Sequence, residues 1–129
     1  TLDIEILDLF NGNMEFIKNS ACPTYVKRNG EVQLLKSVAL PTGILNNVDL
    51  VVYDYDLQDG DILVMCSDGI IDSNKEYLNK QVWLKYLLED IESTDAQKIA
   101  DIIIGEAIDN DFGVQKDDMT VMVAKIKKK

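Results

Sequence analysis

The 129-residue sequence predicts an α+β domain of antiparallel strands and two helices. Three observations carry this. Asn11-Gly12 and Asn29-Gly30 each separate short runs of strand-forming residues, the pattern of tight hairpins, because Asn and Gly tolerate positive φ. Ile62-Leu63-Val64-Met65-Cys66 is an unbroken apolar run bounded by turn residues, as in a strand covered on both faces. Apolar side chains then recur at helical spacing in two later stretches.

Taken in order, Leu2 to Leu9 opens as a half-buried strand in which Leu2, Ile4 and Ile6 alternate with Asp3 and Glu5. Met14 to Lys18 returns after the first Asn-Gly turn. Tyr25–Lys27 and Val32–Leu35 flank the second, so a β-meander is expected across residues 1–35. Pro41 and Gly43 mark a connection, and Val48 to Tyr55 reads as a longer strand. Gln58-Asp59-Gly60-Asp61 turns into the buried run, which stops at Ser67-Asp68-Gly69. A helix near Lys80 to Ile91 places Leu84, Leu87, Leu88 and Ile91 on one face. A second opens with Thr94-Asp95-Ala96-Gln97, a capping box, and turns Ile99, Ile102, Ile103 and Ala107 inward. A polar loop from Asp109 to Lys116 leads to Asp117-Asp118 and a last strand, Met119 to Ile126, before a solvated Lys127–Lys129 tail.

The length suits one domain, and 47% apolar with 28% charged residues is the balance of a globular chain. Histidine is absent, which excludes a Ser-His-Asp triad, a Cys-His pair, histidine-ligated zinc and phosphohistidine chemistry. A net charge of −10 argues against nucleic acid and against an anionic membrane surface as partners. Cys22 and Cys66 are too few for a disulfide scaffold, so a reducing cytoplasmic setting is expected. No apolar run reaches the roughly 18 residues of a membrane helix, and residues 1–9 read as a strand and not as a signal peptide. Anchoring of a parent protein through another segment stays open. The chain starts at Thr1, inside a strand pattern, and is expected to be cut from a larger protein.

The chemistry gathers at two places. Asp68 lies where a fully buried strand stops, followed by a glycine that keeps bulk away from it; an Asp-Gly turn capping a helix is the plain alternative. Asp117 and Asp118 are adjacent acids at the mouth of another strand, unfavourable together unless a cation compensates them or one points to solvent. If the two strand ends converge, oxygen ligands collect without soft donors, which suits Mg²⁺ or Mn²⁺ and metal-activated water. Two other patterns fit poorly. Cys22 and Arg28 match Cys-x5-Arg, yet Pro23 and the lack of glycine deny the phosphate a cradle of backbone N–H groups. Asp54 to Gly60 hints at a calcium loop with its glycine one place late.

In sequence order, several segments form a set: Asp3–Phe10 with Asn11-Gly12-Asn13 and Glu15–Lys18, then Ser20-Ala21-Cys22-Pro23-Thr24-Tyr25-Val26-Lys27-Arg28 and Leu40-Pro41-Thr42-Gly43-Ile44-Leu45. Gly60-Asp61, Ser67-Asp68-Gly69 and Asp117-Asp118-Met119-Thr120 complete it. This set resembles the metal-dependent (PPM-type) protein serine/threonine phosphatases, within them the C-terminal part of the phosphatase domain of the stage II sporulation protein E family. The resemblance implies an αββα sandwich with a binuclear Mn²⁺ or Mg²⁺ centre at one end. Carried over by position, Asp68 and Asp117 become metal ligands and Asp118 a weaker candidate. It further implies in-line attack on phosphorus by metal-bound water, without a phosphoenzyme. The implied substrate is a phosphoserine anti-anti-sigma factor, whose dephosphorylation releases a sporulation sigma factor. A non-catalytic module that binds the anti-anti-sigma partner is the alternative.

The family's Asp-Gly-Met-Gly motif has no counterpart here. Residues 1–129 are therefore expected to be the C-terminal portion of the domain, with the upstream part absent. Alone, this portion should bind metal weakly, be nearly inactive, and self-associate through apolar surface that the rest of the domain would cover.

Overall fold

The computed structural model describes residues 2–36, 52–113 and 117–129. Strands β1 (Leu2–Leu7), β2 (Asn13–Asn19) and β5 (Val52–Asp56) form one antiparallel sheet in the order β1-β2-β5. Strands β3 (Thr24–Arg28), β4 (Glu31–Leu35), β6 (Ile62–Cys66) and β7 (Val121–Lys125) form a second, β4-β3-β6-β7, also antiparallel. Three helices follow β6: α1 (Asp68–Ile71), α2 (Gln81–Asp90) and α3 (Ala96–Asn110).

Side-chain alternation along β6 builds two cores. Leu63 joins Met14, Phe16, Val26 and Leu57 between the sheets. Ile62 and Val64 join Tyr25, Trp83, Leu84, Leu88, Ile99 and Ile103 beneath the helices. Each such side chain contributes roughly 1.5–3 kcal/mol on burial. The sheet–sheet–helix layering matches the α+β expectation. β6 lies between β3 and β7, as its continuous apolar run requires.

The expected meander is instead two hairpins in different sheets. β1–β2 and β3–β4 each pair, but the chain crosses between sheets at Ser20–Pro23. Ser20 adopts a left-handed φ of 52°, and Pro23 has no N–H to continue a ladder. The second hairpin closes as read, with Asn29 and Gly30 at φ 51° and 84°.

β1 faces the opposite way from a simple amphipathic strand. Asp3 and Glu5 turn inward against Lys18, and Ile4 and Ile6 lie exposed on the outer face with Val52. A third helix, α1, starts at Asp68 itself. α2 keeps the expected boundaries, but the capping box at α3 does not form: Asp95 is the N-cap and accepts from Lys98 N at 2.9 Å, while Thr94 Oγ1 accepts from Lys125 Nζ. β5 begins at Val52, and Pro41, Gly43, Leu40–Leu45 and Val48–Val51 lie outside the described residues, as do 114–116 in the polar loop. No helix among the described residues is long and apolar enough to cross a membrane.

Candidate metal centre

The β6–β7 register decides what happens beyond the strand ends. Cys66 pairs with Val121, which sets Ser67 opposite Thr120. Ser67 N donates to the Thr120 carbonyl at 2.9 Å, and its hydroxyl accepts from Thr120 N at 3.0 Å and donates to the Asp118 carbonyl at 3.1 Å. The two acidic motifs, distant in sequence, are thus fastened together by one serine.

Gly69 makes the contact closer still. A Cβ built on it would lie 2.3 Å from the Asp118 carbonyl oxygen and 3.5 Å from Asp117 Cβ. The glycine is required by this close approach of two backbones rather than by its own φ. Asp68 and Asp117 each accept the backbone N–H of the following residue, at 3.0 Å from Gly69 and 2.8 Å from Asp118. Asp68, Asp117 and Asp118 are all exposed at this end of the sheet.

The donor chemistry fits a hard divalent cation in part. Asp68 and Asp117 offer carboxylate oxygens on one edge, while the nearby sulfurs are poor ligands. Burial pushes the Cys22 thiol up, and the charge of Asp68 adds to the shift. Burial, then Cys22, pushes the Cys66 thiol up to about 12, so it stays protonated at neutral pH. Among the described residues no three His, Cys, Asp or Glu side chains gather as a metal cage. Holding a divalent cation would take further ligands beside this pair.

Behind these residues sits a charged network that sequence reasoning missed. Lys18, only 1% exposed, donates to both Asp3 oxygens at 2.6 Å and to the Cys22 carbonyl at 3.0 Å, with Glu5 at 4.0 Å. Glu5 in turn accepts from the Thr24 hydroxyl. The network ties the β2–β3 corner to the first sheet. Its signal was available: in a tight β1–β2 hairpin the acids at 3 and 5 fall on one face, opposite the lysine at 18.

Neither poorly fitting pattern becomes a site. Arg28 ends β3 and grips Asp61 through Nε and Nη2 at 2.8 and 2.6 Å, so Cys22 and Arg28 belong to different surroundings. Asp54 and Asp56 lie on strand β5 and not in a loop.

A family model described as Stage II sporulation protein E (SpoIIE) matches residues 1–127. Stage II sporulation protein E of Bacillus subtilis (strain 168) is 37% identical over 126 residues, 98% of this chain and 15% of that protein. The solved phosphatase domain of SpoIIE from Bacillus subtilis (Mn presoaked) superposes with a TM-score of 0.87 at 34% identity, covering 100% of this chain and 57% of that one. The PP2C phosphatase domain with a fragment of the regulatory domain of the same protein gives 0.89 at 36% identity, over 97% and 38%. The chain thus spans about a seventh of the curated relative and somewhat over half of the solved phosphatase domain.

Proposed function

Because the chain belongs to the Stage II sporulation protein E family, we propose that it is the C-terminal portion of a metal-dependent protein serine phosphatase domain. One observation carries the reading: Ser67 and Gly69 lock Asp68 against Asp117-Asp118 at a single sheet edge. Asp68 and Asp117 would hold Mn²⁺ or Mg²⁺, with Asp118 as the further candidate. Two ions, when bound, supply an activated water near neutral pH and neutralise charge on the phosphoryl oxygens.

The chain's own part is positioning. Asp68 is the first residue of α1, two residues past the end of the buried strand β6, so its backbone is placed by the sheet and its carboxylate accepts from Gly69 N–H. Asp117 is placed by the Thr120 and Asp118 backbone bonds to Ser67. No histidine is available within residues 1–129 to protonate a leaving serine. The substrate is a phosphoserine protein, in the finest form of this reading an anti-anti-sigma factor whose dephosphorylation activates a sporulation sigma factor.

The test is Asp68→Asn in the complete phosphatase domain, measured as Mn²⁺-dependent phosphate release from a phosphoserine anti-anti-sigma protein beside the 129-residue segment alone. Turnover should fall at least about 100-fold with partner binding retained, and the segment alone should stay near background. Unchanged turnover would remove Asp68 from the site. Binding without turnover in the unmodified domain would favour a non-catalytic module.

A further inference from the structure

Lys18 carries a positive charge where water does not reach. Its side chain is fully buried, and its three N–H groups are all taken: two by the Asp3 carboxylate at 2.6 Å and one by the Cys22 carbonyl at 3.0 Å. A second carboxylate, Glu5, stands 4.0 Å away. One of its oxygens is bonded by the Thr24 hydroxyl, and the other is buried without a hydrogen-bond partner among the described residues. Taking such charges out of water costs about as much as their attraction returns, and uncharged side chains of the same shape commonly serve stability as well. Stability alone does not account for the pair.

Its place in the fold does. β2 ends one residue after Lys18, and the chain then turns through residues 20–23 into β3. Continued past Thr24, the register that sets Tyr25 opposite Val64 brings Pro23 level with Cys66 and Cys22 level with Ser67. Cys22 and Cys66 accordingly pack on the same core, and the charge of Asp68 reaches the Cys22 thiol. Because the sheet runs β3-β6-β7, Asp68 has Asp117-Asp118 on one flank and this corner on the other. Ser67 fastens the first flank. On the second, residues 20–23 lie outside the strands, Ser20 holds a left-handed φ, and Pro23 has no N–H to donate. What grips this flank is the bond from Lys18 to the Cys22 carbonyl.

We propose that Lys18 is a positioning residue of the metal centre: by holding the Cys22 carbonyl from the first sheet, it fixes the flank of Asp68 that Ser67 does not. The proposal rests on the metal-dependent reading above. Groups that orient a metal ligand without touching the metal change its affinity about 10–100-fold when replaced.

The experiment measures Mn²⁺ binding to the complete phosphatase domain by calorimetry, beside urea unfolding and Mn²⁺-dependent hydrolysis of p-nitrophenyl phosphate. Asp3→Asn/Lys18→Met removes both charges with little change of shape and leaves the Cys22 carbonyl without its donor. Its Mn²⁺ Kd should rise about tenfold, and the Mn²⁺ needed for half-maximal hydrolysis should rise with it. Asp3→Asn alone keeps Lys18 on the Cys22 carbonyl but strips a buried cation of its countercharge. It should be the less stable of the two in urea, yet hold Mn²⁺ within about twofold of the unmodified domain. A merely structural role would instead make metal affinity follow stability. An unmoved Kd in the double variant, or a Kd that rises as far in Asp3→Asn, would overturn the positioning role; the single variant keeps the test open should the double not fold. Mn²⁺ binding by the unmodified domain with no release of phosphate from the small ester or from a phosphoserine protein would overturn the phosphatase reading instead.

Discussion

Gly69 offers the sharpest handle on the geometry. Alanine there would place its methyl carbon 2.3 Å from the Asp118 carbonyl oxygen and 3.1 Å from its carbon. Ordinary C···O contacts are about 3.3–3.6 Å, so roughly 1 Å of movement is needed. Both partners are backbone, and the Asp118–Thr120 segment is held by its bonds to Ser67. Overpacking of this kind costs about 1–3 kcal/mol, against a gain of up to about 1 kcal/mol from replacing glycine in a helix.

The net expectation for Gly69→Ala is a loss of about 1–2 kcal/mol. Gly105→Ala is its control: Gly105 lies in α3, with nothing within 4 Å of its ideal Cβ, and should gain about 0.5–1 kcal/mol. Urea unfolding of the 129-residue chain measures both through Trp83, the single tryptophan, whose indole bonds to α1. Opposite signs are required. If Gly69→Ala is neutral or stabilising, the two strand ends are not in contact as described. In the complete domain the same variant should also weaken Mn²⁺ binding, since the 1 Å shift falls on Asp117 and Asp118.

Two further outcomes test the frame around the site. Arg28→Lys should cost about 1–3 kcal/mol in urea unfolding, because one ammonium cannot replace the paired bonds to Asp61, which is 1% exposed; a change below about 0.5 kcal/mol would refute this. Burial holds the Glu5 carboxyl above its ordinary 4.5, opposed by the Thr24 hydroxyl and Lys18. A raised carboxyl binds its proton more tightly in the folded chain, so its contribution to stability falls as pH climbs from that ordinary value through the raised one. Glu5→Gln should make the decline shallower over that range, and an unchanged slope would show that Glu5 titrates normally.

Much of this was legible because local chemistry and tertiary structure agree. The Asn29-Gly30 hairpin, the five-residue apolar strand and the helix bearing Leu84 and Leu88 each have one dominant signal, and each forms. The facing of β1 was not legible in the same way. Alternation gives the period of a strand but not which face is inside, and Lys18 draws Asp3 and Glu5 inward against their usual preference. The break between the hairpins depended on Ser20 taking a left-handed conformation, for which serine gives little warning. The N-cap of α3 slipped by one residue because Thr94 and Asp95 are both good caps, and Lys125 from β7 binds the threonine. At the site, the sequence placed Asp68, Asp117 and Asp118 at strand ends, and only the sheet order could bring those ends together.

That dependence on register sets the frame within which Ser67 and Gly69 hold the acids together. β6 is paired on both sides, with Val64 opposite Tyr25 on one flank and Val123 on the other. A slip of one residue in β7 would turn its side chains over and carry Thr120 away from Ser67. Val121 and Val123 pack with the helical core while Ala124 packs with the core between the sheets, so such a slip exposes apolar surface on both faces. The spacing of Asp68 from Asp117-Asp118 is therefore enforced by burial some distance from the site as well as by Ser67 and Gly69 beside it. Lys18 does the corresponding work across the sheets, because its bonds to Asp3 and to the Cys22 carbonyl join the first sheet to the corner that enters β3. An exposed, acid-rich edge can be held against its own repulsion when the forces that position it act on side chains that water does not reach.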